Sequence, residues 1–242
     1  MLNKIKIVGK ILSVEVKVKE EEEKNESIFY FSLLVPSPSG SLTILRCVAQ
    51  GETAKSIEKE IKQDEILEVK GYLRNERLGR QVLIKVVEFA KLDTTLDKVD
   101  ENSSNQLRLL GKIVTDFKVR EGEEELEVLS FRIVVPREGN NLPFFFCRVQ
   151  GKKLINEVSS KLKRNDIVLL EGFLQTKKIM EERKNSESEK KISRISSIIC
   201  QKFVLLDSDS VSIFNPLDKF THIVGKVEKI DFSKPKEKER EE

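Results

Sequence analysis

The sequence predicts an all-β protein with one short helix per domain, built from two tandem five-stranded barrels and a partial third repeat of which only the first strand is present. Apolar residues occur in short β-branched blocks, which is typical of strands. An internal repeat recurs at a spacing of about one hundred residues. Its anchors are Val35-Pro36 and Val135-Pro136, Cys47 and Cys147, and Gln50-Gly51 and Gln150-Gly151. A chain of 242 residues accommodates two such domains.

Each copy opens with a strand that contains a glycine, Gly9 or Gly111. A glycine there suits a bulge or bend, which lets one strand serve two sheets. An acidic tip follows at residues 20–26 or 121–125, and a proline ends the second strand. The predicted strands are residues 5–11, 29–35, 42–49, 66–73 and 82–92 in the first copy, and 107–113, 128–135, 144–150, 167–174 and 193–206 in the second.

An amphipathic helix lies between the third and fourth strands of each copy, because apolar residues form one stripe with Lys and Glu between them. The stripes are Ala54, Ile57 and Ile61 in the first copy and Leu154, Val158 and Leu162 in the second. Three strands, a helix and two strands, with a bent first strand, is the order of an oligonucleotide/oligosaccharide-binding (OB) barrel. The periodicity alone fits another small β-barrel equally well.

We expect a first OB domain at residues 1–95, a linker at 96–104 and a second OB domain at 105–207. The second domain has an enlarged hairpin at 179–191, where the polar stretch 181–191 predicts a mobile loop. Residues 208–242 form a C-terminal extension with a charged tail. Within it, residues 220–227 repeat the opening strand. We expect this strand to pair with an edge of its own second barrel or of another subunit, since an unpaired edge is a liability in water; the alternative is a frayed remnant.

The charges nearly cancel, with 44 basic and 41 acidic side chains and a net charge of +3, so an anion-binding surface requires local segregation of charge. Catalysis is not expected. The single histidine, His222, lies in the partial third strand, so no second histidine can act as the base of a Ser or Cys nucleophile. The cysteines have no zinc-binding spacing. Gly151-Lys152 lacks the upstream glycine of a phosphate-binding loop. We therefore predict a protein that is not an enzyme and has no metal or cofactor, with its cysteines buried as small hydrophobes.

No stretch approaches the roughly 20 apolar residues that span a bilayer, and no secretory signal pattern is present. We expect no membrane association. The predicted location is the bacterial cytoplasm or an organelle.

Three blocks resemble those of the bacterial and organellar single-stranded DNA-binding proteins. They are Asn3 with Ile7-Val8-Gly9-Lys10 and its copy Asn105 with Leu109-Leu110-Gly111-Lys112, then Arg46-Cys47-Val48-Ala49-Gln50-Gly51, and finally the run from Lys163 to Leu174. The resemblance implies an OB fold that holds single-stranded DNA in a basic groove during replication, recombination or repair, with bases stacked on aromatic rings. It also implies a homodimer with four barrels. RNA is an alternative ligand, and replication or repair proteins are expected partners, although the charged C-terminus lacks the apolar tip through which the family recruits them.

The expected nucleic-acid-binding residues are aromatic side chains for stacking and cations for phosphate contacts. They are Tyr30, Phe31 and Phe144, together with Arg74, Arg77, Arg80, Arg148, Lys152, Lys153, Lys177, Lys178 and Arg183. Of six positions where the family places stacking residues, only Phe144 is aromatic; the others are Ile44, Gln50, Leu78, Gln150 and Ile179. The alternative function is therefore a structural or protein-interaction OB subunit of a larger assembly, with weak or no nucleic-acid binding.

Overall fold

The computed structural model describes residues 3–21, 24–75, 82–121, 127–135, 143–181, 191–206 and 227–231. The elements of the first copy are β1 (Asn3–Glu21), β2 (Lys24–Pro36), β3 (Leu42–Gln50), α1 (Glu52–Glu60), β4 (Ile66–Asn75) and β5 (Val82–Leu92), followed by a 3-10 turn at Leu96–Lys98. The elements of the second copy are β6 (Asn105–Ile113), β7 (Lys118–Glu121), β8 (Glu127–Val134), β9 (Phe144–Gln150), α2 (Lys152–Lys161), β10 (Ile167–Glu181) and β11 (Lys191–Leu206), and β12 (Val227–Asp231) follows them.

The strands of each copy close into a five-stranded barrel, which confirms the predicted fold. In the first barrel β1 pairs with both β2 and β4, β2 with β3, and β4 with β5, while a short parallel pairing between β3 and β5 closes the cylinder. In the second, β6 pairs with β8 and β10, and β9 runs parallel to β11. Helix α1 buries the predicted stripe Ala54, Ile57 and Ile61. In the second copy Val158 and Leu162 are buried as predicted, but Ile155 is buried in place of Leu154, which is only partly buried.

A glycine-dependent bend occurs at the same place in both barrels. The register of β4 against β5 shifts at Gly71, and that of β10 against β11 shifts at Gly172. A Cβ added to Gly71 would lie 2.0 Å from the carbonyl oxygen of Lys85, and one added to Gly172 would lie 2.0 Å from that of Ile199. Only glycine permits so close an approach between the two backbones.

The first strand is continuous in one barrel and broken in the other. The acidic tip predicted at residues 20–26 extends the strands instead, because β1 and β2 stay paired out to Glu21 and Lys24. In the second copy the strand is split into β6 and β7, and Thr115 Oγ1 accepts a hydrogen bond from the Arg132 amide at 2.9 Å at the break. Glu121 belongs to β7, and residues 122–125 of the second predicted tip lie outside the described ranges.

The two barrels join through an antiparallel pairing of their first strands. Ile5 of β1 lies opposite Leu107 of β6, its own counterpart in the repeat, so the pair is arranged about a pseudo-twofold axis. Asn3 and Asn105 repeat one contact pattern: Asn3 Nδ2 donates to the Leu73 carbonyl at 3.1 Å, and Asn105 Nδ2 donates to the Leu174 carbonyl at 2.8 Å. A single cluster of buried apolar side chains runs through both barrels.

Each long hairpin also touches the opposite barrel. The hairpins β4–β5 and β10–β11 meet where the Val82 amide donates to Ser196 Oγ at 3.4 Å. Beyond that point the Thr176 amide donates to Thr43 Oγ1 at 3.0 Å, and Asn75 Nδ2 donates to the Phe144 carbonyl at 2.6 Å. The barrels are therefore joined by the pairing of their first strands and by hydrogen bonds between each hairpin and the opposite barrel.

Strand β12 pairs antiparallel with β11, so that Val227, the last residue of the predicted third-repeat strand, lies opposite Leu206. The pairing expected for the rest of that strand stays a prediction. Residues 220–226 of the predicted strand and 182–190 of the predicted mobile loop lie outside the described ranges. In the part of the chain that the structure describes, no helix is long and apolar enough to cross a membrane.

Candidate nucleic-acid interface

Along β8 and β9, side chains that point outward alternate with side chains that point into the core. Most of the outward ones are aromatic or basic. Phe145, Cys147 and Val149 point into the second barrel and are buried. The residues between them point outward, and Phe144 is 51% exposed. Because successive strand residues face opposite sides, Phe144, Phe146 and Arg148 lie in one row along the strand.

Cations lie along one side of that row, on β8 and β7. Arg132 of β8 lies opposite Phe146, and Ser130 lies opposite Arg148. On β7, Lys118 lies opposite Ser130. The guanidinium carbon of Arg148 is 5.3 Å from the centre of the Phe146 ring, a cation–π arrangement. We call Lys118, Ser130, Arg132, Phe144, Phe146 and Arg148 the second-barrel face; it contains no acidic residue.

The equivalent surface of the first barrel is composed differently. Ser32 of β2 lies opposite Arg46 of β3. Leu83 of β5 lies between Arg46 on one side and Arg74 of β4 on the other. In the next row Lys85 Nζ lies 5.9 Å from the centre of the Tyr72 ring. Tyr30 packs against a small apolar cluster formed by Ile28, Val48 and Leu83. We call Tyr30, Ser32, Arg46, Tyr72, Arg74 and Lys85 the first-barrel face.

Phe31 is a core residue, so the expectation that it stacks on a base is wrong. It is 2% exposed and lies opposite Cys47 inside the first barrel. The alternation along β2 places Phe29 and Phe31 inside and Tyr30 outside. Of the three consecutive aromatic residues there, only Tyr30 is available to a ligand.

The other expected cations fall on several parts of the molecule. Arg148 belongs to the second-barrel face and Arg74 to the first-barrel face. Lys152 and Lys153 are exposed in the first turn of α2, directly after β9. Lys177 is half-buried on β10, one residue past the contact with Thr43. Arg77, Arg80, Arg183 and the side chain of Lys178 lie outside the described residues.

Sequence reasoning did not identify Phe146, Arg132, Lys118, Arg46, Tyr72 or Lys85. Strand alternation contains the signal for Phe146, because an outward Phe144 requires an outward Phe146 two positions later. Arg132 and Lys118 reach the same face only through the register of β7, β8 and β9. That register depends on the split of the first strand, which the sequence pattern does not show.

A groove of about 1050 Å³ crosses the pseudo-twofold axis on the outer surface of the joined first strands. Its cations largely face carboxylates. Lys6 pairs with Glu68 at 2.9 Å, Arg108 with Glu171 at 2.5 Å, and Lys70 with Glu88 at 3.4 Å. Since these charges are compensated, the groove is a poorer phosphate site than the two faces.

The cysteines lie in the barrel interiors, away from both faces. Burial raises the pKa of the Cys200 thiol to about 12, and burial together with the neighbouring Cys200 raises that of Cys147. Burial likewise raises the pKa of Cys47. These thiols stay protonated at neutral pH and pack as small apolar groups.

Comparison with known proteins gives a family match for the second barrel. The model of the single-strand binding protein family matches residues 104–198. A deletion mutant of the single-stranded DNA-binding protein from Thermus aquaticus has a similar fold, with a TM-score of 0.59 and 16% identity over 91% of this chain and 97% of that chain. The wild-type Thermus aquaticus protein gives a TM-score of 0.59 and 14% identity over 84% of this chain and 91% of that chain. No curated protein sequence matches this chain. Both structural likenesses extend through the two barrels and concern the fold.

Proposed function

We propose that this chain, a tandem OB-fold protein whose second barrel matches the single-strand binding protein family, binds single-stranded DNA in replication, recombination or repair. The observation that carries the proposal is the second-barrel face. On it two outward phenylalanines stand in a row with Arg148, and Arg132 and Lys118 lie beside them. This is the surface by which OB barrels bind oligonucleotides.

The chemistry of that face fits an unpaired strand. Phe144 and Phe146 offer ring surfaces to successive bases, and a stacked base is worth about 1–3 kcal/mol. Arg132 and Lys118 are exposed cations on one side of the phenylalanine row, where they can contact the phosphates next to the stacked bases. The exposed Lys152 and Lys153 extend the basic track past the end of β9. Neither stacking nor phosphate contact reads base identity, so we expect binding with little sequence preference.

The first-barrel face is a second, weaker candidate surface. It carries Arg46, Arg74 and Lys85, which can contact phosphates. Its aromatic residues, Tyr30 and Tyr72, are both half-buried, and the position equivalent to the exposed Phe144 is Ile44. We infer that the second barrel supplies most of the binding free energy.

The remaining features of the proposal follow from this role. The protein acts as a non-enzymatic binding protein in the bacterial cytoplasm or an organelle. Its domains are residues 1–95 and 105–207 with a linker at 96–104, in keeping with β5 ending at Leu92 and β6 beginning at Asn105. The outer groove, with Val87 exposed at its rim, is the surface we propose for homodimer formation.

A structural or protein-interaction role is the second candidate. It is favoured by the apolar side chain of Leu42 at the start of β3, which is 59% exposed. Such a surface suits another protein better than a phosphodiester backbone.

Fluorescence anisotropy with labelled dT and rU oligomers at low and moderate salt tests the proposal. We expect binding of dT oligomers that weakens steeply with salt, since each phosphate contact on a single strand adds about 0.7 to the log–log slope. Comparable binding of rU would widen the ligand to RNA. Absence of binding at low salt would reject the proposal in favour of the protein-interaction role.

A further inference from the structure

We propose that Asn75 of the first barrel is a positioning residue for the stacking site of the second barrel. This inference rests on the proposed function, because it concerns how Phe144 is presented to a base. It makes the barrel pair, rather than the single barrel, the unit that binds DNA.

The contact is short and its direction is fixed by chemistry. Asn75 Nδ2 lies 2.6 Å from the carbonyl oxygen of Phe144. A carbonyl oxygen only accepts hydrogen bonds, so the amide nitrogen of Asn75 is the atom that faces it. The amide oxygen of Asn75, the other polar atom of this side chain, is buried and has no hydrogen-bond partner among the described residues. The contact with Phe144 is therefore the polar interaction that orients this side chain.

The position of Phe144 explains why such support matters. It is the first residue of β9, and its ring is half-exposed. Within its own barrel it lies opposite Val134, the last residue of β8, near the end of the β8–β9 ladder. Beyond this pair, in the described part of the chain, only the Val135 amide donates to the Pro143 carbonyl at 3.0 Å. Strand ends fray more readily than strand centres. The hydrogen bond from Asn75 holds the backbone of Phe144 at this end and so limits the directions in which the ring can point.

The opposite hairpin provides a matched control. Thr176 occupies the place in the β10–β11 hairpin that Asn75 occupies in β4–β5, since each follows the core leucine of its strand, Leu73 or Leu174, by two residues. The Thr176 amide donates to Thr43 Oγ1 at the start of β3. Thr43→Val removes this acceptor and leaves the Asn75 contact in place. If contact between hairpin and barrel mattered only for stability, the variants Asn75→Ala and Thr43→Val would affect DNA binding alike.

A tryptophan reporter separates positioning from stability. The chain contains no tryptophan, so Phe144→Trp gives a single fluorophore at the stacking position. We expect dT oligomers to quench it strongly. Adding Asn75→Ala should reduce the quenching at saturation and weaken binding about fivefold, whereas adding Thr43→Val should change neither. Unchanged quenching and affinity in the Asn75→Ala protein would overturn the inference.

A double-mutant cycle between Asn75 and Phe144 tests the route of the effect. If Asn75 acts through the ring, Asn75→Ala costs nothing further in a Phe144→Ala background. Additive losses would mean that Asn75 contacts DNA itself, and the inference would be wrong. Asn75→Thr, which installs the residue found at the equivalent position of the second hairpin, serves if Asn75→Ala does not fold. The two proposals fail separately, because absence of DNA binding by the unaltered chain rejects both, whereas binding that Asn75 variants leave intact rejects only this one.

Discussion

The two barrels share a scaffold and differ in the surface built on it. Both have the same strand order and a glycine bend in the fourth strand. In both, an asparagine at the start of the first strand donates a hydrogen bond to the fourth strand. Yet the site of Phe146 in the second barrel is Arg46 in the first, and the site of Arg132 is Ser32. Interior positions are constrained by close packing, whereas outward positions can diverge at little cost to stability.

The comparison teaches that duplicated folds need not carry duplicated functions. Three cations lie on each face, so charge alone does not separate them. The separation comes from the aromatic residues, because Phe144 of the second-barrel face is 51% exposed, whereas Tyr30 and Tyr72 of the first are half-buried. Because stacking contributes about 1–3 kcal/mol per base, this difference is large enough to make one barrel dominant.

The glycine bends provide the largest expected effect and test the shared scaffold. Gly71→Ala and Gly172→Ala should each lower the free energy of unfolding by about 3 kcal/mol or more, because the new methyl group meets a backbone carbonyl that cannot move alone. Urea denaturation measures both. Gly40→Ala is the control; its Cβ meets nothing within 4 Å, and its cost of about 1 kcal/mol comes from its φ of 73°. If alanine is tolerated at only one of Gly71 and Gly172, the two barrels do not depend on the same bend.

Removing one ring from the second-barrel face should produce the next largest effect. Phe146→Ala should weaken binding of a dT oligomer by about 1–3 kcal/mol, because one stacked base and the cation–π contact with Arg148 are lost. Arg46→Ala at the equivalent site of the first barrel should cost less. Anisotropy titration of both variants gives the comparison, and an equal or larger loss for Arg46→Ala would reverse the assignment.

Exchanging a charge between the faces should sharpen the comparison further. Arg132→Ser should weaken binding by about 1 kcal/mol and reduce the log–log salt slope by about 0.7, the value of one phosphate contact. Ser32→Arg should do the opposite, since it places a guanidinium at the same position of the first barrel. Titrations at several salt concentrations measure both. If Ser32→Arg leaves the slope unchanged, DNA does not cross the first-barrel face.

The smallest effect concerns pH. Lys91 and the backbone amide of Lys62 hydrogen-bond to Glu65 and lower the pKa of its carboxyl group. A lowered carboxyl pKa in the folded state contributes stability above the unfolded pKa, and this contribution is lost as the pH falls through the folded value. Glu65→Gln should therefore flatten the acid limb of the unfolding curve slightly. Urea denaturation at several pH values measures this, and an acid limb that stays equally steep in the Glu65→Gln protein would contradict it.

The scaffold could be predicted from the sequence because its signals are local. Proline at position 36 and the apolar stripe through Ile57 each mark an element that the structure confirms. The faces could be predicted only in part. Phe144 is identifiable from the sequence, but the pairing of Arg132 with Phe146 depends on strand register. Phe31 lies in the core because side chains alternate along β2, and three consecutive aromatic residues do not show which of them face inward. The contact between Asn75 and Phe144 joins residues of different barrels, and no local pattern encodes it.

The most direct test of the account compares the two faces with matched leucine substitutions, which remove rings and retain apolar bulk. One protein carries Phe144→Leu and Phe146→Leu, and the other carries Tyr30→Leu and Tyr72→Leu. Affinity for a dT oligomer is measured at one low salt concentration, with folding of each protein checked by urea denaturation. We predict a loss of about a hundredfold for the second-barrel variant, equivalent to roughly 3 kcal/mol, and less than about fivefold for the first. Equal losses, or the larger loss in the first barrel, would contradict the claim that binding resides mainly on the second.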